Sequence, residues 1–292
     1  MKAQLIDGKK LAAETRAEIA RGVAALKAEK GVTPGLAVIL VGDNPASVSY
    51  VTAKEKACRE AGMLSREIRM PATVAEDELI AEIAKLNADP EIHGILVQLP
   101  LPKGFSEKRV IDAIAPEKDV DGFTPVNVGR MVLGEECFVP ATPMGICTRL
   151  ERYGIETVGT HCVVLGRSNI LGTPVANLLS RKGVDCTVTM CHSRTQNLAE
   201  LTRQADILVV AIGKPEFVTA DMVKPGAVVV DVGIHRVPDA TKKSGYRIIG
   251  DVKHSEVDAK CSWVTPVPGG VGPLTIVSLL QNTMKAYRKG KK

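Results

Sequence analysis

Aromatic side chains are scarce in this sequence: four Phe, four Tyr and one Trp make up 3% of its 292 residues. Proteins that hold nucleic acid use aromatic rings to stack bases and a basic face to meet phosphates. A formal net charge of +5 hints at such a face, but Lys285, Arg288, Lys289, Lys291 and Lys292 supply five charges in a tail without acids. Removing those five from 38 basic residues leaves 33 against 33 acidic ones. The body is therefore neutral, nucleic acid is not an expected partner, and the tail reads as a solvated end. Paired cysteine motifs are missing too. The seven cysteines (58, 137, 147, 162, 186, 191 and 261) include no CxxC and read as the reduced thiols of a cytoplasmic protein. Five histidines without HxxxH or HExxH spacing give no reason to expect a metal. No apolar run approaches the roughly 20 residues of a membrane span, and MKAQLIDGKK lacks the apolar core of a signal peptide. No membrane association is expected.

What is present is a core-forming composition, 45% hydrophobic, in a chain long enough for two domains. Apolar runs ending in Gly or Pro alternate with amphipathic stretches. GLAVILVG (35–42), a short strand at 64–70 and IHGILVQLP (92–100) predict strands; 47–62, 75–88 and 106–115 predict helices. Residues 116–145 are rich in Pro and Gly with weak periodicity, and read as a crossing between domains. A helix is expected from Pro143 to Tyr153. Alternation resumes with HCVVLG (161–166), a helix at 173–182, CTVTMC (186–191), ADILVVAIG (205–213) and AVVVDVGI (227–234). A last helix starts at Pro273, where proline suits the first turn. The fold class expected is α/β, with an N-terminal catalytic domain over 1–140, completed by a C-terminal helix at 273–292. A Rossmann-type domain is expected over 141–272, with a cleft between the two.

Gly166-Arg167-Ser168-Asn169-Ile170-Leu171-Gly172 lies between a predicted strand and a predicted helix. There, small residues let backbone amides approach a pyrophosphate, and the helix start favours the anion. The spacing is not the orthodox GxGxxG, because Ser168 replaces the second glycine and Gly172 falls one residue late; alone it equally suits a tight turn. The next strand carries more information. An NAD site places Asp or Glu at its end, whereas CTVTMC runs into His192, Ser193 and Arg194 without an acid. Arg167, Ser193 and Arg194 suit a ribose 2′-phosphate that a carboxylate would repel, so NADP is favoured over NAD. His192 reads either as a ligand to that phosphate or as a surface histidine.

Tyr50 and Lys54 are four residues apart on one predicted helix, and so share a face. A lysine so placed is usually solvated. Here, however, the helix follows a strand through VGDNPAS, which puts its start at the carboxyl edge of the sheet, where open α/β sheets bind ligands. Gln98 ends the neighbouring strand, and KDVDGF brings Asp119 and Asp121 to the crossing. In TPVPGGVGP, Gly269, Gly270 and Gly272 allow backbone to approach a ligand closely.

In order, VGDNPASVSYVTAKEKACREAG, GILVQLPLP, EKDVDGFTPVNVG, GRSNILGTP and TPVPGGVGPLT closely resemble the bifunctional methylenetetrahydrofolate dehydrogenase/methenyltetrahydrofolate cyclohydrolase family over essentially the whole chain. The resemblance implies oxidation of 5,10-methylenetetrahydrofolate with NADP and hydrolysis of the methenyl product to 10-formyltetrahydrofolate, in one-carbon metabolism. It implies Lys54 for proton transfer, Gln98 to orient it, Tyr50 to stack on the pterin and Asp121 to accept from the amino-pyrimidinone edge. The 265–272 loop, with Pro268, Gly269 and Gly270, would line the substrate site, and Ile234 would meet the nicotinamide side. It also implies a homodimer built on the cofactor domain. His235 stands where the family often has Asn, and Ala141 where it often has Cys. Other readings remain: a dehydrogenase with little cyclohydrolase activity, a non-catalytic NADP-sensing protein, and a shikimate-dehydrogenase-like oxidoreductase.

Overall fold

The computed structural model describes residues 3–242 and 245–290. Lys291 and Lys292, expected to end the last helix and the basic tail, lie outside them. The chain opens with a short strand, β1 (Gln4–Leu5), and a long helix, α1 (Gly8–Lys30). Then come β2 (Gly35–Val41), α2 (Pro45–Glu60), β3 (Leu64–Met70), α3 (Glu76–Ala88), β4 (Gly94–Val97) and α4 (Glu107–Asp112). Two helices follow, α5 (Pro125–Leu133) and α6 (Ala141–Arg152). Alternation resumes with β5 (His161–Leu165), α7 (Gly172–Ser180), β6 (Thr187–Cys191), α8 (Leu198–Thr202) and β7 (Ile207–Val210). The remainder is β8 (Val228–Asp231), a hairpin of β9 (His235–Pro238) and β10 (Tyr246–Ile249), α9 (His254–Val257), β11 (Trp263–Val264) and α10 (Gly272–Lys289).

Contacts divide the chain into two units. One holds Ala13–Ala141 together with the chain from Ile276 onward. Its sheet is parallel, in the order β3-β2-β4. All seven residues of β2 are buried, as a strand covered on both faces requires. Leu79, Ile83 and Leu86, spaced three and four apart on α3, enter the same core as Ile39, Ile95 and Val97. The chain leaves β2 and enters α2 at Asn44, whose side chain accepts from the Ala46 and Ser47 amides, with Pro45 in the first turn.

The other unit holds the chain up to Ala12 and Thr142–Thr275. Its six strands run in the order β1-β11-β8-β7-β5-β6, every pair parallel. Alternate residues feed two cores: Val163, Leu165, Leu208 and Val210 enter one, Cys162, Val164, Ile207 and Val209 the other. In both sheets the chain steps outward to one neighbour of the first central strand and then crosses to its other side, a topological switch at β2/β4 and at β5/β7.

Three expectations need correction. The first domain does not begin at residue 1: β1 pairs with β11, and Ala3 and Ile6 are buried in the cores of the six-stranded unit. Residues 116–145 are not wholly irregular, since α5 forms between a Thr124 cap, Pro125 in its first turn and Gly134 at φ +74°. The strand expected over 92–100 is ordered as β4 only over Gly94–Val97, and Gln98 begins the loop beyond it.

Candidate active site and nucleotide pocket

The switch in the three-stranded sheet brings the end of β4 next to the helix that follows β2. Lys54 on α2 donates from Nζ to Gln98 Oε1 at 3.0 Å. The Gln98 amide in turn donates from Nε2 to the Leu99 carbonyl at 2.6 Å, which fixes which end of the amide faces the lysine. Burial holds the Lys54 amine below its ordinary pKa, with the nearby Asp121 charge acting against the shift. The same burial pushes the Asp121 carboxyl up to about 6, opposed by Lys54 and reinforced by Asp119. Tyr50, one turn before Lys54 on α2, is 48% exposed, so an aromatic side chain is open to a planar ligand.

The two aspartates of KDVDGF separate in role. Asp119 is fully buried and accepts from the Phe123 and Thr124 amides and from Asn127 Nδ2. It is a staple for the turn into α5. No side-chain hydrogen bond reaches the Asp121 carboxylate among the described residues, so its acceptor positions are open.

In the six-stranded unit, the ends of β5, β6 and β7 line a pocket of about 290 Å³ at the β5/β7 switch. Gly166, Arg167, Ser168, His192 and Ser193 line it, as do Leu165, Leu198, Ala211, Ile212, Lys214 and Phe217. Ile170, Arg194 and Ile234, also expected at the cofactor, fall outside this lining; Ile170 and Ile234 are 48% and 47% exposed. The Arg194 amide donates to His192 Nδ1 and so orients that ring.

The late glycine has a steric cause. A Cβ at Gly172 would lie 2.1 Å from the Gly166 carbonyl oxygen, and one at Gly166 2.3 Å from that of Ala211. The strand-to-helix turn therefore closes onto itself, leaving backbone free to approach an anion. Lys214, whose Nζ lies 5.3 Å from the Phe217 ring centre, was not singled out in the sequence. Its signal was available, in a GKP immediately after a buried strand. Among the described residues no acid lines the pocket, and three of its side chains are Arg, Lys and His, which fits a dinucleotide carrying a 2′-phosphate.

The proline-glycine loop is tightly built. Gly270 donates to the Pro266 carbonyl, Gly269 has φ +106°, and a Cβ at Gly8 would lie 1.8 Å from the Gly270 carbonyl oxygen. Sequence reading passed over Arg149, 1% exposed, whose guanidinium donates to the Gly270 and Val271 carbonyls at 2.6 and 2.8 Å and to Gly145. Nothing in its spacing on α6 distinguishes it from a solvated arginine. His235 does not point into the pocket lining; its ring is taken up by Asp251 at 2.7 Å.

The sequence matches the family models for the catalytic domain of tetrahydrofolate dehydrogenase/cyclohydrolase over residues 6–121, and for its NAD(P)-binding domain over 140–291. The chain belongs to the tetrahydrofolate dehydrogenase/cyclohydrolase family. The bifunctional protein FolD of Cytophaga hutchinsonii is 58% identical over 285 residues, covering 97% of this chain and 98% of that one. The crystal structure of the bifunctional FolD enzyme of Campylobacter jejuni superposes with a TM-score of 0.93 at 46% identity, covering 99% of each chain. The Trypanosoma brucei dehydrogenase-cyclohydrolase, solved with NADP and an inhibitor, gives 0.95 at 38% identity, covering 100% of this chain and 99% of that one. Membership of this family sets aside the shikimate-dehydrogenase-like reading. Among the described residues, no helix is long and apolar enough to cross a membrane.

Proposed function

We propose that the chain oxidises 5,10-methylenetetrahydrofolate to the 5,10-methenyl compound with NADP and then hydrolyses that product to 10-formyltetrahydrofolate. The observation that carries this reading is the Lys54–Gln98 hydrogen bond beside an Asp121 carboxyl with open acceptor positions. NADP, when bound, supplies the acceptor for the hydride leaving the methylene carbon. Arg167, Ser168, His192 and Ser193 would hold its 2′-phosphate and ribose end, with Gly166 and Gly172 admitting the pyrophosphate; Ile170, Arg194 and Ile234 would contribute from outside the pocket lining.

The chain's own chemistry lies in the second reaction. Water adds to the cationic methenyl carbon, the carbon–nitrogen bond to N5 opens, and one proton is released overall. Lys54, whose amine burial shifts toward the neutral form, accepts that proton and passes it on. Gln98 holds the amine on its trajectory. Asp121 accepts paired N–H groups from the amino-pyrimidinone edge, and Tyr50 stacks on the pterin. Pro268, Gly269 and Gly270 would present backbone to the substrate. We further infer a cytoplasmic homodimer built on the six-stranded unit, which light scattering would refute by returning the mass of one chain.

The test is absorbance of the purified protein with 5,10-methylenetetrahydrofolate, with NADP and NAD in separate cuvettes. Reduced cofactor with NADP, followed by conversion of the methenyl to the formyl product, is expected. Reduction without that conversion would leave a dehydrogenase alone, and binding of NADP without reduction would favour a sensing protein.

A further inference from the structure

Three segments meet beneath one wall of the nucleotide pocket. The Asp251 carboxylate is fully buried and uses one oxygen, Oδ2, to accept from the Ile212 and Gly213 amides at 2.8 and 3.0 Å. Its other oxygen, Oδ1, meets His235 Nε2 at 2.7 Å. The loop that begins at Ile212 ends on the same support. Glu216 donates to the Gly250 carbonyl at 3.0 Å, Val218 to that of Asp251 at 3.0 Å, and Lys253 returns a bond to Val218 at 2.8 Å. Between these two anchors the chain turns through left-handed residues at Gly213 (φ +68°) and Glu216 (φ +50°) and carries Ile212, Lys214 and Phe217 into the pocket.

The support itself has no slack. Asp231 Oδ1 accepts from the Asp251 amide at 3.0 Å, and a Cβ on Gly233 would lie 2.3 Å from that amide nitrogen. A change at Asp251 therefore cannot be absorbed beneath it and must be passed up to the loop. His235 is the outermost part of this chain of contacts, 20% exposed at its side chain.

We propose that Asp251 and His235 are positioning residues for cofactor affinity: the imidazole fixes the Asp251 carboxylate, which fixes the Ile212–Phe217 wall of the pocket. This rests on the pocket being the NADP site. Neither residue touches the folate chemistry, so the effect belongs in the binding of one ligand only.

The test compares H235L, which fills the space without a donor, with H235Q, whose amide restores a donor at similar reach. Dissociation constants for NADPH are read by fluorescence, with both KM values, kcat and Tm. H235L is expected to weaken NADPH binding and raise the KM for NADP about tenfold, the scale of one charge-assisted hydrogen bond. The KM for 5,10-methylenetetrahydrofolate and kcat should stay within about twofold, and H235Q should recover most of the loss. D251N should show the same split, more strongly, if it folds. Unchanged NADPH affinity in H235L with only a lower Tm would overturn the proposal. Absence of NADPH binding in the unaltered protein would instead overturn the cofactor reading on which it rests.

Discussion

Two clusters of polar groups, one in each unit, are built on opposite principles. In the six-stranded unit, Asp231 accepts from the Gly233, Asp251 and Val252 amides and from His254, and Asp251 from two amides and His235. In the three-stranded unit, Lys54 has one side-chain partner, Gln98, and Asp121 has no side-chain hydrogen bond among the described residues, yet burial acts on both. A satisfied cluster stabilises the fold. An under-satisfied one costs stability and keeps donors and acceptors available for substrate. The comparison predicts that removing a charge has opposite effects on stability in the two places.

The largest effect is expected from Lys54→Met. Cyclohydrolase turnover should fall by about 10² to 10⁴, the usual contribution of a general acid–base group. The folded protein should be no less stable, because burial disfavours the ammonium. In the unaltered enzyme, cyclohydrolase activity should rise with pH through the lowered lysine pKa, since the proton-accepting role proposed for Lys54 needs the neutral amine. Normal turnover in this variant would remove the central assignment.

Next in size is Asp231→Asn, on the satisfied side of the comparison. Losing the carboxylate weakens charge-assisted bonds and forces an amide N–H toward donors, so a loss of about 3 kcal/mol in denaturant unfolding is expected. Tolerance of the change would show that the cluster is not the structural support it is argued to be.

How far the sequence alone foretold these clusters follows from the range of the interactions. Lys54 and Gln98 were readable because each follows a strongly apolar strand, and the end of a parallel strand locates a residue without knowledge of its partners. The glycines at 166 and 172 were readable as a turn, although why Gly172 comes late required the Gly166 carbonyl oxygen 2.1 Å from its Cβ position. Asp119 and Asp121 look equivalent in KDVDGF, and only the amides of Phe123 and Thr124 tell the staple from the carboxylate left open. Asp231 and Asp251 are twenty residues apart, separated by a hairpin, and no periodicity links them. Arg149 is hidden in the same way, two of its three carbonyl partners lying about 120 residues away. β1 was missed because two residues carry no pattern, whereas α5 had a proper Thr-Pro start and a Gly stop that the surrounding prolines and glycines obscured.

Asp121→Asn sharpens the comparison by uncoupling function from stability. Folate KM should rise about ten- to a hundredfold, the scale of hydrogen bonds to a charged acceptor. The sign for stability is the reverse of that at Asp231. Burial raises the folded-state pKa of Asp121 to about 6 from an ordinary 3.8, so the folded state favours the protonated form. The associated stability is complete below pH 4 and is lost as pH rises through about 6. Asparagine removes that loss, and a gain of about 2 kcal/mol at pH 7.5, vanishing near pH 4, is expected from paired unfolding curves.

The smallest effect concerns His254, which joins the satisfied cluster at its edge. Burial works against its charge, but hydrogen bonds to Asp231 and Asp258 outweigh burial and hold its pKa above the ordinary 6.5. A raised pKa places the stabilising contribution at low pH: it is complete below 6.5 and disappears as pH rises through the higher folded-state value. The unaltered protein should therefore lose stability across the neutral range that His254→Gln does not lose, as paired unfolding curves would show. Because His254 and Asp121 respond to pH in the same direction for different reasons, the Asp121→Asn background isolates this contribution. A pH dependence of stability that survives both substitutions would mean that the two clusters are not the principal titrating elements of the fold, and that partner count alone does not separate support from site.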